Sequence, residues 1–353
     1  MYLLYAVCAA LTLLVCIFAE RIGTLLGLVD EPDGRRKVHA RGTPLVGGLA
    51  IIAPLALTAV VLAFDGGRWR LYGTLTLALV AYFFCGFADD YRRQSPWLRL
   101  VVCTAAALGA ISVVPLFGVA FLWFSFYEPV IYLGGGAAVF SLVCIVGLAN
   151  AVNMADGQNG VVIGLSLIWT LLLFAYAPSE LHPLLFVLAL GLAITLVFNL
   201  KGLVFLGDSG TYGISLALAT LTIYSYNFSV PAFRADAVML LFLIPVVDCL
   251  RLIAVRLPRY GTPFVGDRNH LHHILQRLLP EGAALVAYWT MVGVPSLLVL
   301  VFPQSTPWWV ALSLAAYALA LVKDAVDRRQ GIVRAHARSA GWEDRFSIGG
   351  SDD

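Results

Sequence analysis

Charged residues are scarce in this chain. Asp, Glu, Lys and Arg together make up 12% of the 353 residues, whereas hydrophobic residues make up 60%. Soluble globular domains are about a quarter charged and about half apolar, so this composition excludes an ordinary soluble enzyme. The net charge of only +2 gives no basis for nucleic acid as a partner. We therefore expect an integral membrane protein.

Two common sequence motifs are also missing. The six cysteines all lie in apolar runs and show no CxxC spacing, which argues against a disulfide framework or a thiolate metal site. No GxxxxGK[ST] motif occurs, which argues against an ATP-driven motor. The first apolar segment lacks the basic residues that precede the core of a signal peptide, so a retained helix is expected.

Eleven apolar segments are long enough, or nearly so, to cross roughly 30 Å of hydrocarbon. Together they predict an all-α integral membrane protein with about eleven transmembrane helices. One polytopic domain is expected over residues 1–325 and a tail over residues 326–353. The segments are residues 3–19, 45–64, 71–87, 98–118, 130–148, 161–177, 184–200, 210–228, 237–255, 283–302 and 308–322.

The basic residues indicate which side of the membrane each loop faces. In the eleven-helix layout, 20 of the 23 Lys and Arg fall in alternate loops, and only Arg68, Arg70 and Arg234 fall on the other side. Loops rich in Lys and Arg stay in the cytoplasm. The N-terminus is therefore predicted outside and the C-terminus in the cytoplasm. Most carboxylates and five of the six histidines share the cytoplasmic side, so the chemistry is expected there.

Two adjacent carboxylates, Asp89 and Asp90, end the third apolar segment. Like charges at the edge of a low-dielectric phase are costly unless a cation or several donors offset them. The pair therefore favours a divalent metal or a base for proton transfer. The alternative is an ordinary solvated helix end helped by Arg92 and Arg93.

A row of amides and a carboxylate joins the fifth and sixth segments. Asn150, Asn153 and Asp156 recur every three residues, so a helical turn would align them on one face. Their oxygens are suitable ligands for a hard cation. A polar turn around Gly157 and Gly160 is the alternative.

Asp208 opens the eighth segment within the sequence FLGDSG. The flanking glycines allow a close backbone approach, and a helix N-terminus offers free N–H groups to an anion. A simple N-cap by Asp208 is the alternative.

The cytoplasmic loop over residues 256–282 contains the sequence DRNHLHH. If it is helical, His270, His273 and Arg277 share one face, while the leucines at 271, 275 and 278 form an apolar edge for the membrane surface. Arg268 and Arg277 favour an anionic ligand such as phosphate. Zinc is the alternative, although nothing nearby completes a tetrahedral set.

A second basic stretch contains Lys37 and precedes the sequence GTPLVGG. It could bind substrate or anchor the chain among lipid headgroups. Taken together, these loops supply carboxylates and amides for Mg²⁺ beside cations for a diphosphate. A membrane-embedded enzyme with a lipid co-substrate fits best. A secondary transporter of an anionic solute is the rival, and its best support is Asp248 inside the ninth segment, with Arg251 as the expected partner.

Six motifs in this order resemble the polyprenyl-phosphate N-acetylhexosamine-1-phosphate transferase family. The DRNHLHH form of the histidine loop is most similar to bacterial undecaprenyl-phosphate N-acetylglucosaminyl-1-phosphate transferases, which begin O-antigen and related glycans. The motifs are GTPLVGG, FADDYRRQ, NAVNMADGQNG, FLGDSGT, PVVD and DRNHLHH.

This resemblance implies a reaction between a UDP-N-acetylhexosamine and undecaprenyl (polyprenyl) phosphate. The products would be the polyprenyl-diphospho-sugar and UMP, and the cofactor would be Mg²⁺, with Mn²⁺ as a substitute. The expected location is the bacterial inner membrane, and a homodimer is a further expectation. Arg93 and Asn159 stand where many relatives carry acidic residues, and the sugar is left open.

The resemblance also implies residue roles. Asp208 and Asn153 would hold the metal, while Asp89 would deprotonate or orient the lipid phosphate with support from Asp90. The remaining residues are expected to contact phosphate, nucleotide or sugar diphosphate. They are Lys37, Arg99, Asn150, Asp156, Arg268, His270, His272 and His273.

Overall fold

The computed structural model describes residues 1–31, 42–229, 232–264 and 267–331. Within these ranges the chain forms thirteen α-helices joined by short connections. They are α1 (Tyr2–Ile17), α2 (Ala19–Leu26), α3 (Gly47–Asp65), α4 (Trp69–Tyr91), α5 (Pro96–Val113), α6 (Ala137–Ala155), α7 (Val161–Leu173), α8 (His182–Leu200), α9 (Gly207–Phe228), α10 (Ala235–Tyr260), α11 (Leu271–Leu278), α12 (Glu281–Val301) and α13 (Thr306–Arg329).

In the described residues, two short antiparallel strand pairings accompany the helices, and neither was predicted. The first pairs β1 (Val29–Asp30) with β2 (Thr43–Pro44). The second pairs β3 (Phe121–Phe124) with β4 (Tyr127–Tyr132), and its register shifts between Leu122 and Phe124.

Eight helices in the described part of the chain are long and apolar enough to cross a membrane, namely α3, α4, α5, α6, α8, α10, α12 and α13. Helices α1 and α2 bend by 73° and would make a ninth span if counted as one. The other two predicted segments form α7, which has only 13 residues, and α9. The prediction of an all-α, multi-pass membrane protein is confirmed. The count of eleven and the orientation of the termini stay predictions.

Helix α9 forms the centre of the bundle. Of its 22 residues, 19 are buried, and it packs against α3, α4, α6 and α7. Many of these residues are Gly, Ala, Ser or Thr, which let neighbouring helices approach closely. Ser215 and Thr220 donate to carbonyls one turn earlier, at 2.5 and 2.7 Å. Their hydroxyls are therefore satisfied inside the apolar bundle.

The functional motifs converge on one end of the bundle, which we call the polar end. It contains the C-terminal ends of α4, α6 and α10, the N-terminus of α9, and α11. Arg68 and Arg234, at the starts of α4 and α10, lie at the opposite end. The β3–β4 hairpin is also there, held by Asp236, which accepts a bond from the Ser125 N–H at 3.0 Å.

The histidine helix α11 is buried differently from the prediction. It begins at Leu271, so His270 is its N-cap residue and not part of a helical face. Leu271 and Leu275 lie in the main hydrophobic core, whereas the sequence had placed them at the membrane surface. That prediction was wrong because α12 and α13 pack over α11 and cover its leucines.

Candidate active site

A cavity of about 2050 Å³ opens at the polar end. Eleven of the twelve residues predicted from sequence to form the site line this one space, although they come from five separate stretches of chain. The twelfth, Lys37, lies outside the described residues. The eleven are Asp89, Asp90, Arg99, Asn150, Asn153, Asp156, Asp208, Arg268, His270, His272 and His273.

Asp90 joins the end of α4 to the start of α9. Its Oδ1 accepts the backbone N–H of Asp208 at 2.7 Å, and its Oδ2 accepts that of Ser209 at 2.9 Å. These are two of the N–H groups that a helix start leaves without a partner. Gly207 has φ +72°, and a Cβ there would stand 2.7 Å from Asp90 Oδ2. Asp90 therefore caps α9 from a neighbouring helix and fixes the position of Asp208.

Asp89 and Asp208 share one cation. Arg99 Nη1 lies 2.7 Å from Asp89 Oδ2 and 3.2 Å from Asp208 Oδ2. The other oxygen of Asp89 accepts the backbone N–H of Gln94 at 2.5 Å. Arg99 comes from α5, so α4, α5 and α9 meet at this ion-paired cluster, in which two carboxylates share one guanidinium.

Asn153 provides the link from α6. Its Nδ2 donates to Asp208 Oδ1 at 2.8 Å and to Thr211 Oγ1 at 3.0 Å. One turn earlier, Asn150 donates its Nδ2 to the Val146 carbonyl at 2.8 Å. Both amides line the cavity.

The donor set at Asp208 fits a divalent cation that is completed by substrate. Within the described ranges, no three His, Cys, Asp or Glu side chains form a metal site by themselves. Mg²⁺, however, is typically bound through one or two carboxylates together with substrate phosphates. Asp208 and Asp89 line the cavity, as does Asn153, and among the described residues they share the Arg99 guanidinium. The chemistry of these donors therefore fits a divalent cation that is bound together with a diphosphate.

His272, which lines the same cavity, has an unpaired ring nitrogen. The residue is 2% exposed, and its Nε2 has no hydrogen-bond partner in the part of the chain that is described. Gly157 lies directly against this nitrogen, so a Cβ there would overlap the ring. Burial lowers the pKa of His272 well below its usual value and that of His273 to about 4. Both rings are neutral at pH 7.

His270 is held by groups that sequence analysis did not predict. Its Nε2 lies 3.0 Å from Arg256 Nη2, and the Nε of that arginine is 3.0 Å from Asp267 Oδ2. Arg256 is only 3% exposed. Arg256 and Asp267 are eleven residues apart and belong to α10 and the following loop, so helical spacing gave no signal for the pair.

Arg277, which was expected to bind an anionic ligand, lines the cavity but already has protein partners, so its role toward a ligand stays a prediction. Arg277 forms a two-point ion pair with Asp324 of α13, at 2.7 and 3.0 Å, and also donates to the Arg268 carbonyl. Its charge is therefore used to attach α11 to α13. The predicted partnership of Asp248 with Arg251 is confirmed, with Nη2 2.7 Å from Oδ1.

The same cavity continues away from the polar end as an apolar channel. It runs between α6, α9 and α10, where Val143, Ile223 and Met239 are among its lining residues. It reaches Leu122 and Phe124 of strand β3, at the opposite end of the bundle. Because a helix rises 1.5 Å per residue, the lining positions from Ala235 to Arg256 on α10 span about 30 Å.

Comparison with known proteins agrees with this geometry. A family model for glycosyl transferase family 4 matches residues 72–226, which include the Asp89–Asp90 pair, the amide row and Asp208. Curated relatives align over most of the chain. These matches support glycosyl transferase family 4, the family that the motifs resembled.

The relatives carry consistent names. One from Yersinia pestis, an undecaprenyl-phosphate alpha-N-acetylglucosaminyl 1-phosphate transferase, is 26% identical over 90% of this chain and 88% of its own length. An Escherichia coli K12 protein of the same name is 26% identical over 92% and 90%. A Bacillus subtilis protein named a probable undecaprenyl-phosphate N-acetylglucosaminyl 1-phosphate transferase is 26% identical over 84% and 83%.

Proposed function

We propose that this protein transfers an N-acetylhexosamine 1-phosphate from a UDP-sugar to undecaprenyl (polyprenyl) phosphate and releases UMP. The observation that carries the proposal is the cavity itself. At the polar end it holds carboxylates, amides, Arg and His suited to a diphosphate, and beyond them it continues as an apolar channel as long as a bilayer is thick. A water-soluble donor and a lipid acceptor can meet only in a space that has both parts. The relatives' names support the same pair of substrates.

We assign each substrate to one set of cavity residues. In this proposal His272, His273 and Arg268, beside the turn at Asp156 and Gly157, take the UDP-sugar. Arg99 and Asp89 take the phosphate of the lipid, whose chain would lie in the channel. The acceptor phosphate is largely ionised at pH 7, so Asp89 is needed to orient it more than to remove a proton.

Asp208 and Asn153 would hold Mg²⁺. When bound, Mg²⁺ neutralises charge on the diphosphate and polarises the reacting phosphorus. Asp90 keeps the Asp208 carboxylate at the start of α9, and Arg99 supplies a fixed positive charge to the transferring group. In the reaction, an oxygen of the lipid phosphate bonds to the sugar-bearing phosphorus, and the phosphorus–oxygen bond to UMP breaks. The anomeric C–O bond of the sugar is kept.

The transporter alternative predicts ionisable groups near the middle of the membrane. Among the described residues, the Asp, Arg and His side chains that line the cavity all belong to the polar end. Asp248, the group that had favoured a transporter, is 4% exposed and paired with Arg251. These contacts support an enzyme.

The proposal is tested by UMP release from purified protein supplied with undecaprenyl phosphate, Mg²⁺ and a panel of UDP-N-acetylhexosamines. We expect one or more of these sugars to give UMP and a lipid-linked product. Asp208→Asn is expected to lose at least 100-fold in rate, because it removes the charged ligand at the reacting diphosphate. Asp65→Asn is the matched control, since Asp65 is an exposed carboxylate at the opposite end of the bundle. Activity of Asp208→Asn within a few-fold of wild type would refute the metal-ligand role.

A direct, one-step transfer follows from the same arrangement, because the cations already position and neutralise both phosphates. The rival is a covalent phospho-sugar on an aspartate. Incubating lipid-free enzyme with Mg²⁺, UDP-sugar and labelled UMP distinguishes the two. The direct route predicts no exchange of label into UDP-sugar without the lipid phosphate, and exchange as fast as turnover would contradict it.

A further inference from the structure

A buried network of charged and polar side chains surrounds His270 between α10, α11 and α13. His270 is 7% exposed, and each of its ring nitrogens has one partner. Nδ1 lies 3.3 Å from Asp248 Oδ2, and Nε2 lies 3.0 Å from Arg256 Nη2. The motif resemblance gave His270 a role in gripping substrate, but both of its nitrogens are already in use.

The partners of His270 determine which nitrogen carries the proton. A guanidinium can only donate hydrogen bonds and stays charged in proteins, so the Nε2 that faces Arg256 must accept. A neutral ring with an accepting Nε2 carries its proton on Nδ1, where it donates to the Asp248 carboxylate. A doubly protonated ring would turn an N–H toward the guanidinium of Arg256. The geometry therefore selects the neutral Nδ1–H tautomer.

Asp248 is itself held firmly. Its Oδ1 accepts from Arg251 Nη2 at 2.7 Å and from the hydroxyl of Tyr317 on α13 at 2.8 Å. Its Oδ2 accepts the backbone N–H of Leu271, the first residue of α11, at 3.1 Å. One carboxylate thus caps α11, fixes the ring that precedes it, and joins three helices.

The geometry points to Asp248 as a positioning residue: it fixes His270 as the neutral Nδ1–H tautomer and so places His272 in the donor site. His270 and His272 lie nearly parallel, with ring planes 14° apart and centroids 5.4 Å apart. A displaced His270 would carry the start of α11 with it, and with α11 the unpaired Nε2 of His272 that faces Gly157. The effect on the donor site rests on the proposed function, whereas the tautomer does not.

The tautomer can be measured directly by ¹⁵N solid-state NMR of protein labelled at histidine and asparagine in lipid bilayers at pH 7. The His270 signals are assigned through the peptide link to Asn269. We expect a protonated, pyrrole-type Nδ1 and an unprotonated, pyridine-type Nε2. A protonated Nε2, alone or together with Nδ1, would overturn the assignment. This spectrum needs no variant and no activity.

Asp248→Asn tests the positioning role. An amide N–H₂ at the Oδ2 position would donate toward Nδ1, so we expect His270 to lose its pure Nδ1–H form. Loss of the carboxylate partner of a metal-ligating histidine costs roughly 10-fold to 100-fold. We expect a loss of similar size here, in the KM for UDP-sugar more than in kcat. Tyr317→Phe removes a bond only at Oδ1 and is expected to keep the wild-type tautomer.

Three results separate the ways in which this account can fail. An unchanged tautomer in Asp248→Asn, with the protein folded by its melting temperature, would overturn the role of Asp248. A changed tautomer with an unchanged KM for UDP-sugar would overturn the link to the donor site. Absence of transfer by wild-type protein with every UDP-sugar would refute the proposed function while leaving the tautomer result standing.

Discussion

Replacing Asp90 by asparagine should separate the positioning of Asp208 from the binding of metal. In the structure both oxygens of Asp90 are used, at 2.7 and 2.9 Å, by the N–H groups of Asp208 and Ser209 at the start of α9. Asparagine has nearly the same shape but offers one oxygen and one N–H₂ group. One helix N–H would lose its acceptor and would face another donor.

The expected cost follows from these two bonds. A hydrogen bond to a charged acceptor contributes about 1.5–3 kcal/mol, and a neutral one about 0.5–1.5 kcal/mol. Losing one bond and weakening the other should therefore lower the free energy of unfolding by about 2–4 kcal/mol. If about 2 kcal/mol of this also appears at the transition state, through a displaced Asp208, the transfer rate falls roughly 30-fold.

The assay is the transfer rate as a function of Mg²⁺ concentration, measured together with the melting temperature in the same detergent or nanodisc. For Asp90→Asn we expect a lower melting temperature and a lower maximal rate. The Mg²⁺ concentration at half-maximal rate should stay within a few-fold of wild type. Asp208→Asn should show the opposite pattern, with near-normal melting and lost metal dependence. A large increase in the Mg²⁺ requirement of Asp90→Asn, with unchanged melting, would refute the capping role and make Asp90 a direct ligand.

Three further predictions concern the walls of the cavity. Gly157→Ala should raise the KM for UDP-sugar at least tenfold, because its Cβ would overlap His272, whereas Gly109→Ala, with open space around its Cβ, should leave KM unchanged in the same steady-state assay. His273 has a folded pKa of about 4 and an unfolded pKa near 6.5, so its burial in the neutral form lowers the stability of the fold as the pH falls below 6.5. At pH 5 the free energy of unfolding should be about 2 kcal/mol smaller than at pH 7. The difference should be visible in chemical unfolding and smaller in His273→Asn. Arg99→Gln should slow transfer yet bind Mn²⁺ more tightly without substrate, as followed by electron paramagnetic resonance. Equal or weaker Mn²⁺ binding would show that Arg99 does not compete for the carboxylates.

The membrane class and most of the site could be predicted because they depend on local sequence features. Long apolar segments identify spans, and polar groups at their ends are costly without a function. Asp89 and Asn153 stood out on that ground, whereas the metal role expected of Asp208 came from the motif resemblance. The structure places them together because the ends of α4 and α6 and the start of α9 lie at the same end of the bundle.

The features that could not be predicted are tertiary contacts between distant residues. Asp90 was expected to act in chemistry beside Asp89, but its partners are backbone groups 118 and 119 residues away. Arg277 was expected to face a phosphate, yet its partner Asp324 is 47 residues away on a helix that sequence analysis treated only as a span. Neither spacing nor composition reports such pairs.

Helix α11 shows that a correctly predicted apolar edge can still be assigned to the wrong environment. The leucines at 271 and 275 do form one apolar edge, as predicted. Which neighbour covers that edge depends on how α12 and α13 fold back over the loop, and the sequence of α11 contains no information about that packing. An amphipathic helix beside a membrane can bury its apolar edge in lipid or in protein.

The central claim is that the sugar moves together with its phosphate. It is tested most directly with UDP-N-acetylhexosamine labelled with ³²P at the β-phosphate, incubated with purified protein, Mg²⁺ and undecaprenyl phosphate. The account predicts that the label appears in the lipid product while unlabelled UMP is released in equal amount, and that Asp208→Asn produces neither. Release of labelled UDP with an unlabelled lipid-linked sugar would mean that the anomeric C–O bond is cut, and would contradict the account.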